Sequence, residues 1–480
     1  MIQLSLPEGL RSIGDYAFEG VLIKETLRIP DSVTYLGQGA FVAGFFEELI
    51  IGDGLTEIPA KAFAAGFITK VELGSGIQKI ASDAFAQNTI EQIIIHGQKG
   101  SLDESLQQLE GLSKNVSIRY LDPSAMDGET LQTQINEAVG QGQVVIALTS
   151  DVALSKTITV PNGADIVLID DGQGQSRNIT ALPGKTVAQL FSVAAGGKLT
   201  LRTTGGDEAL VLEGSGQTKS RNQASLVNVS GEFCLEGGTL RGGDISSSSL
   251  AGAILLNKEA HFAMTGGVIE QTRLTASTGS LTGTVVVGPG ALFEMSGGSI
   301  RNNISSAWNQ SSGGGVLIYT WSQNDAPGVM CLSDDAEITG NQAYDGAGIY
   351  LTGNADLKMS GGTIASNTAG HFGGGVCVAG LNGGMPGYTD VPCNFLMTGG
   401  VIEGNQASTG GGVYVNSNGV DLRAGLIADN RATNQGGGIY VSTVPYTLHL
   451  SNAVITDNTA AILGGGMWFC PTGDAVNHVT

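Results

Sequence analysis

The feature that most restricts what this chain can fold into is that it repeats itself, twice over and at two different periods. In the first quarter the dipeptide Ala-Phe occurs at Ala17-Phe18, Ala40-Phe41, Ala62-Phe63 and Ala84-Phe85, at intervals of 23, 22 and 22 residues. Ahead of each copy stands a short apolar alternation: Leu4-Ser5-Leu6, Leu27-Arg28-Ile29, Leu49-Ile50-Ile51 and Val71-Glu72-Leu73, with a further copy at Ile93-Ile94-Ile95. Alternation over three or four residues marks a short half-buried strand. An inward anchor follows at Ile13, Leu36, Ile58 and Ile80. A unit of this length cannot bury its own apolar face, so successive units must stack, which pairs their strands in parallel and aligns Phe18, Phe41, Phe63 and Phe85 as a spine.

After about residue 125 the composition shifts towards Gly, Ser, Thr and Asn, and three new submotifs recur. The first is apolar-x-Met-Ser/Thr-Gly-Gly, at Phe262–Gly267, Phe293–Gly298, Leu357–Gly362 and Phe395–Gly400. The second is Ile-x-x-Asn, placing asparagines at Asn303, Asn341, Asn367, Asn405, Asn430 and Asn458. The third is a glycine triplet opening a strand, as at 313–315, 373–375, 410–412, 436–438 and 464–466. Coils of a parallel β-helix stack about 4.8 Å apart, so each corner lies directly above the same corner of its predecessor. A corner requiring positive φ selects glycine in every coil, and stacked asparagines can hydrogen-bond to one another as a ladder.

Fold class and domains follow. The chain is expected to be mainly β, with a leucine-rich-repeat array over residues 1–121 and a parallel β-helix over residues 122–480. Ser101–Leu112 has helical spacing of Leu102, Leu106 and Leu109 and is expected to cap the first array, followed by a strand at Val116–Ile118. A short amphipathic helix over 129–139, with Thr130 as N-cap, is expected to close the open end of the second. The chain begins and stops within repeats, which reads as a fragment of a longer protein.

Ile29-Pro30-Asp31-Ser32-Val33-Thr34-Tyr35-Leu36-Gly37-Gln38-Gly39-Ala40-Phe41 resembles the BspA-type leucine-rich repeats of bacterial surface proteins. The glycine-triplet and Ile-x-x-Asn repeats resemble the right-handed β-helix (pectin-lyase-like fold) of bacterial adhesins and chlamydial outer-membrane proteins. That family has Phe where this chain has Ile, so the likeness to the chlamydial group is one of pattern. Together these resemblances imply an extracellular, cell-surface location and adhesion to a host or cell-surface protein or glycan.

Charge narrows the partners. With 23 Lys+Arg against 44 Asp+Glu the net charge is −21, which repels nucleic acid. No apolar run approaches the roughly 20 residues that span a bilayer. Five cysteines without a CxxC pair offer no zinc site, although a disulfide between neighbouring coils near Cys377 and Cys393 stays open. No cofactor or metal is expected.

Chemistry is sparse. Asp170-Asp171 and Asp334-Asp335 are adjacent pairs, and neighbours on a strand point to opposite faces, so neither pair can clasp one glycosidic bond. The five histidines are scattered without a metalloprotease or triad motif. No catalytic residue is assigned, and the chain is expected not to be an enzyme. A polysaccharide lyase or glycoside hydrolase, or a purely structural stalk, is the alternative.

One stripe stands out from the scaffold. Between the inward aliphatics of each triplet strand stand Leu255, Val286, Leu317, Tyr350, Cys377, Tyr414, Tyr440 and Trp468, expected to point outward and to become aromatic towards the C-terminus. Tyr350, Tyr414, Tyr440 and Trp468 are therefore candidate ligand contacts, with Trp308, Tyr319 and Trp321 and the insert around Tyr388 as loop candidates. The competing reading is an aromatic ladder covered by loops.

Overall fold

A computed structural model describes the chain apart from residues 1–3, 5, 24–25, 97–100, 122–125, 183–186, 215–224, 248–249, 277–280, 306–312, 321, 323, 381–392, 418, 443–446, 470–477 and 480. It divides into two compact units, Met1–Asp127 and Gly128–Thr480.

In the first unit the apolar alternations form a parallel sheet of Thr26–Ile29, Glu48–Ile51, Lys70–Leu73, Ile90–His96 and Leu112–Leu121. Register places Leu27, Leu49, Val71 and Ile93 in one column, all buried. Opposite the sheet, the Ala-Phe turns are linked from unit to unit by backbone hydrogen bonds, as from Phe41 N–H to the Ala62 carbonyl at 2.8 Å. Their rings stack at centroid distances of 5.0, 5.6 and 5.5 Å along Phe18, Phe41, Phe63 and Phe85. Helix α1 (Asp103–Gln107) buries Leu106 against the last unit.

The second unit opens with helix α2 (Gly128–Glu137), which buries Leu131 and Ile135. Thr130 lies inside this helix instead of capping it, because the helix starts two residues earlier, at Gly128. A larger helix side chain at Gly128 would crowd Leu154, since an added Cβ would sit 3.0 Å from it. The helix also satisfies an edge strand: the Gln132 amide donates to the Thr159 carbonyl at 2.8 Å and accepts the Thr159 N–H at 2.7 Å.

Beyond this cap the chain winds through three parallel sheets, of 21, 11 and 8 strands among the described residues. Each coil contributes one strand to the eleven-stranded sheet, opened by a glycine triplet in the later coils, and a pair of strands, fused into one at Asn394–Glu403 and Val420–Ala428, to the largest sheet. From Asp244–Ser247 onward it also contributes a short strand to the eight-stranded sheet. Inward columns run the length of the core, such as Phe233, Phe262, Phe293, Met330, Leu357 and Phe395, all fully buried.

The corner entering the eight-stranded sheet is held by the asparagines. Each of Asn303, Asn341, Asn367, Asn405 and Asn430 donates from Nδ2 to Oδ1 of the asparagine one coil on, at 2.9–3.0 Å, and sends its backbone N–H to the same oxygen. The second Nδ2 hydrogen goes to the isoleucine carbonyl of the preceding coil, as from Asn405 to Ile364 at 2.8 Å. One coil earlier Thr272 holds the same place; its N–H reaches Asn303 Oδ1 at 3.0 Å, and its hydroxyl, too short to continue the ladder, has no partner. The residue before each ladder position has positive φ, whether glycine or not: Gln271 (54°), Asn302 (55°), Gly340 (67°) and Ser366 (56°). The third triplet glycine packs flush on this column; a Cβ at Gly375 would lie 2.7 Å from the Gly412 carbonyl and 3.1 Å from Asn405 Nδ2.

Removing one rung of this ladder strands several buried groups at once. Asn405→Ala leaves one hydrogen of the Asn367 amide and the Asn367 backbone N–H without their acceptor and takes a donor from the Ile364 carbonyl, so a loss of about 2–4 kcal/mol is expected. Gln406→Ala, on the exposed face next to it, should stay within about 0.5 kcal/mol. Urea unfolding of both variants checks this, and equal midpoints would show the ladder to be dispensable.

Candidate functional site

The stripe of the triplet sheet forms in register: Leu255 pairs with Val286, Val286 with Leu317, Leu317 with Tyr350, and so on through Cys377, Tyr414 and Tyr440 to Trp468. It points out of the sheet but not into water. Tyr350, Cys377, Tyr414 and Tyr440 keep only 5, 1, 7 and 8% of their surface, so of the two readings open in the sequence the structure has the covered ladder. Trp468 and Tyr319 are half-buried, and Trp308, Trp321 and Tyr388 lie outside the described residues.

The cover comes from the chain's own corners. Four residues before each stripe residue stands a positive-φ glycine: Gly346, Gly373, Gly410, Gly436 and Gly464. Each folds its corner back so closely that an added Cβ would fall 2.7–2.9 Å from the stripe residue's Cβ. Outward orientation was legible from alternation; the cover is a property of the corner, which alternation does not encode. The same packing leaves Tyr414 parallel to Tyr440 at 5.3 Å and to Phe372 at 4.2 Å.

Phe372 leads to a group that reading along the strands misses. In one coil Tyr344-Asp345 precedes the positive-φ glycine, and in the next His371-Phe372 does so. Stacking brings the four together. Phe372 N–H donates to Asp345 Oδ1 at 2.9 Å, and His371 Nδ1 lies 3.4 Å from the same oxygen. The Tyr344 and His371 rings are 5.1 Å apart. Tyr344, His371 and Phe372 are half-exposed, whereas Asp345 keeps 8% of its surface. Burial pushes the Asp345 carboxyl up to about 7, only partly opposed by the Phe372 N–H, and it holds the His371 imidazole below its ordinary value. The signal in the sequence was the pair of residues ahead of the turn glycine, Tyr-Asp in one coil and His-Phe in the next.

Several other titratable groups have structural partners. Asp170 accepts the Thr204 N–H at 2.6 Å and the Gly172 N–H at 3.0 Å and is hydrogen-bonded by the Thr204 hydroxyl at 2.5 Å. Asp171 pairs with Arg177, and the Ser333 hydroxyl donates to Asp334 at 2.9 Å. His96 meets Glu72 and His261 meets Glu294, each at 2.9 Å. Cys234, Cys331, Cys377 and Cys393 are free thiols. Burial raises all four, Cys234 to about 11, which makes them poor nucleophiles. Among the described residues no three His, Cys, Asp or Glu side chains gather as a metal site.

Fold and site define a mainly β protein with a leucine-rich solenoid ahead of a parallel β-helix. Residues 1–108 match the family model described as BspA type leucine rich repeat region, in six copies. That repeat type points to a bacterial surface protein. No curated protein and no solved structure matches the chain.

The Asp345 carboxyl gives the second unit a pH dependence of unusual sign. Because its folded value of about 7 lies above the ordinary 3.8, the native state holds a proton that the unfolded state has released between those two pH values. Stability from this group is present in acid and lost as pH rises towards about 7. Asp345→Asn keeps an acceptor for Phe372 N–H without the charge. It is expected to melt several degrees above the wild type at pH 8 and close to it at about pH 3, below the ordinary value of the carboxyl. Melting curves at the two pH values decide, and an equal offset at both would remove the titration from the account.

Proposed function

We propose that this chain is a non-catalytic binding and display protein of the bacterial cell surface, whose second unit meets its partners along its sides. The observation that carries this reading is the unbroken asparagine column from Asn303 to Asn458. It marks an interior filled by stacked side chains, which leaves the lateral faces as the surface a partner can reach. On the eight-stranded sheet those faces present Gln342, Thr368, Gln406, Arg431 and Thr459, all exposed and repeated once per coil. Side chains about 4.8 Å apart on a flat sheet suit an extended ligand contacted at many points.

The BspA-type match over residues 1–108 supports the surface location, and with it an extracellular setting and a host or cell-surface protein or glycan as partner. Among the described residues no helix is long and apolar enough to cross a membrane. The acidic net charge of −21 disfavours nucleic acid and other polyanions.

A carbohydrate-active enzyme on the same scaffold would need carboxylates or basic groups from separate coils converging in one groove. The paired aspartates at 170–171 are instead engaged in holding turns and an ion pair.

The purified chain should bind members of a panel of matrix proteins and immobilised glycans, more tightly to multivalent than to monovalent forms, and should release no reducing ends or unsaturated uronates from polysaccharides. Product release would overturn the reading in favour of catalysis, and silence across the whole panel would leave a stalk.

A further inference from the structure

The geometry points to a binding site for an organic ammonium group, such as a lysine side chain of a partner, formed by Asp345 with the rings of Tyr344, His371 and Phe372.

A carboxyl with 8% of its surface left needs its charge neutralised by a proton, a cationic side chain or a bound cation. Asp345 accepts one hydrogen bond, at Oδ1 from Phe372 N–H, and among the described residues no Lys or Arg pairs with it. The titratable groups facing it are His371, the Cys377 thiol and the Tyr414 phenol. None of these is a permanent cation, and burial disfavours protonation of His371. The same carboxyl is therefore left to a proton or to a ligand.

The surroundings choose the class of ligand. Tyr344, His371 and Phe372 are half-exposed aromatic groups beside the carboxyl, and Phe372 is backed by the stacked Tyr414. The electron-rich face of Tyr344 attracts a cation, and the exposed edge of Phe372, whose faces are covered by Tyr414 and His371, offers apolar cover for the methylenes that carry an ammonium group. An anion would meet both the ring faces and the carboxylate with the wrong sign. An ammonium ion instead takes the place of the acidic proton, so binding is an exchange of one for the other.

This inference goes beyond the adhesion reading and does not require it, since small probes test it directly. Titration with n-butylammonium chloride, followed by calorimetry and by the His371 ring resonances, should show saturable binding at pH 8. At pH 5 binding should be at least tenfold weaker, because the proton competes for the carboxyl. Asp345→Asn, neutral and of the same shape, should abolish it, and Phe372→Leu should weaken it several-fold while far-ultraviolet circular dichroism stays unchanged. Equal binding to Asp345→Asn, no pH dependence, or no binding by a folded wild type would overturn the proposal. Binding of methyl β-glucoside in place of the ammonium probe would also overturn it, by assigning the rings to a sugar.

Discussion

The structure of the second unit depends on one constraint: a backbone corner that recurs at the same place in every coil must have its polar groups satisfied by the coil above and the coil below. The asparagine column meets it with no donor or acceptor to spare. From Asn341 on, each side-chain oxygen takes an N–H from the preceding asparagine's backbone and another from its amide, and amide nitrogens such as that of Asn405 bridge two coils. Because such groups are costly to leave unpaired inside a protein, the column ties successive coils in register at this corner from Asn303 to Asn458. The glycine that lies flush on the column then follows as a matter of space.

Stacking also decides what reaches solvent. In the first unit, the phenylalanine rings lie 5.0–5.6 Å apart behind the sheet and fill the volume that the short strands cannot. In the second, the triplet corner folds over its own strand and takes the outward stripe out of water. The unit thereby gains a satellite apolar cluster of Leu281, Val286, Leu317, Tyr350, Cys377, Tyr414 and Tyr440 outside the main core. Placing a carboxyl beside that cluster, at Asp345, is the costly exception, and exceptions of this kind are where function is most often found.

Repetition made most of the fold legible in the sequence. Ala-Phe spacing located the first sheet and its spine, and Ile-x-x-Asn located a column whose hydrogen bonds need only identical residues at identical corners. Three things were less legible. The start of helix α2 at Gly128, packed close to Leu154, is not something that periodicity measures. The fate of the stripe turned on the path of a corner, whereas alternation reports only which side of a strand a residue leaves from. The Asp345–His371 pair joins residues 26 positions apart that share no motif; it becomes visible only once consecutive coils are laid on one another.

The ladder has a further consequence, because its asparagine-to-asparagine bonds all run one way. Every amide presents its oxygen to the coil before and its nitrogen to the coil after, so the amide dipoles add along the stacking axis instead of cancelling. Hydrogen bonds in such a chain polarise their neighbours, and each rung is held more firmly for having others in line with it. The column is thus a vector as well as a stack, and a coil lacking the asparagine interrupts the line in which its neighbours polarise one another.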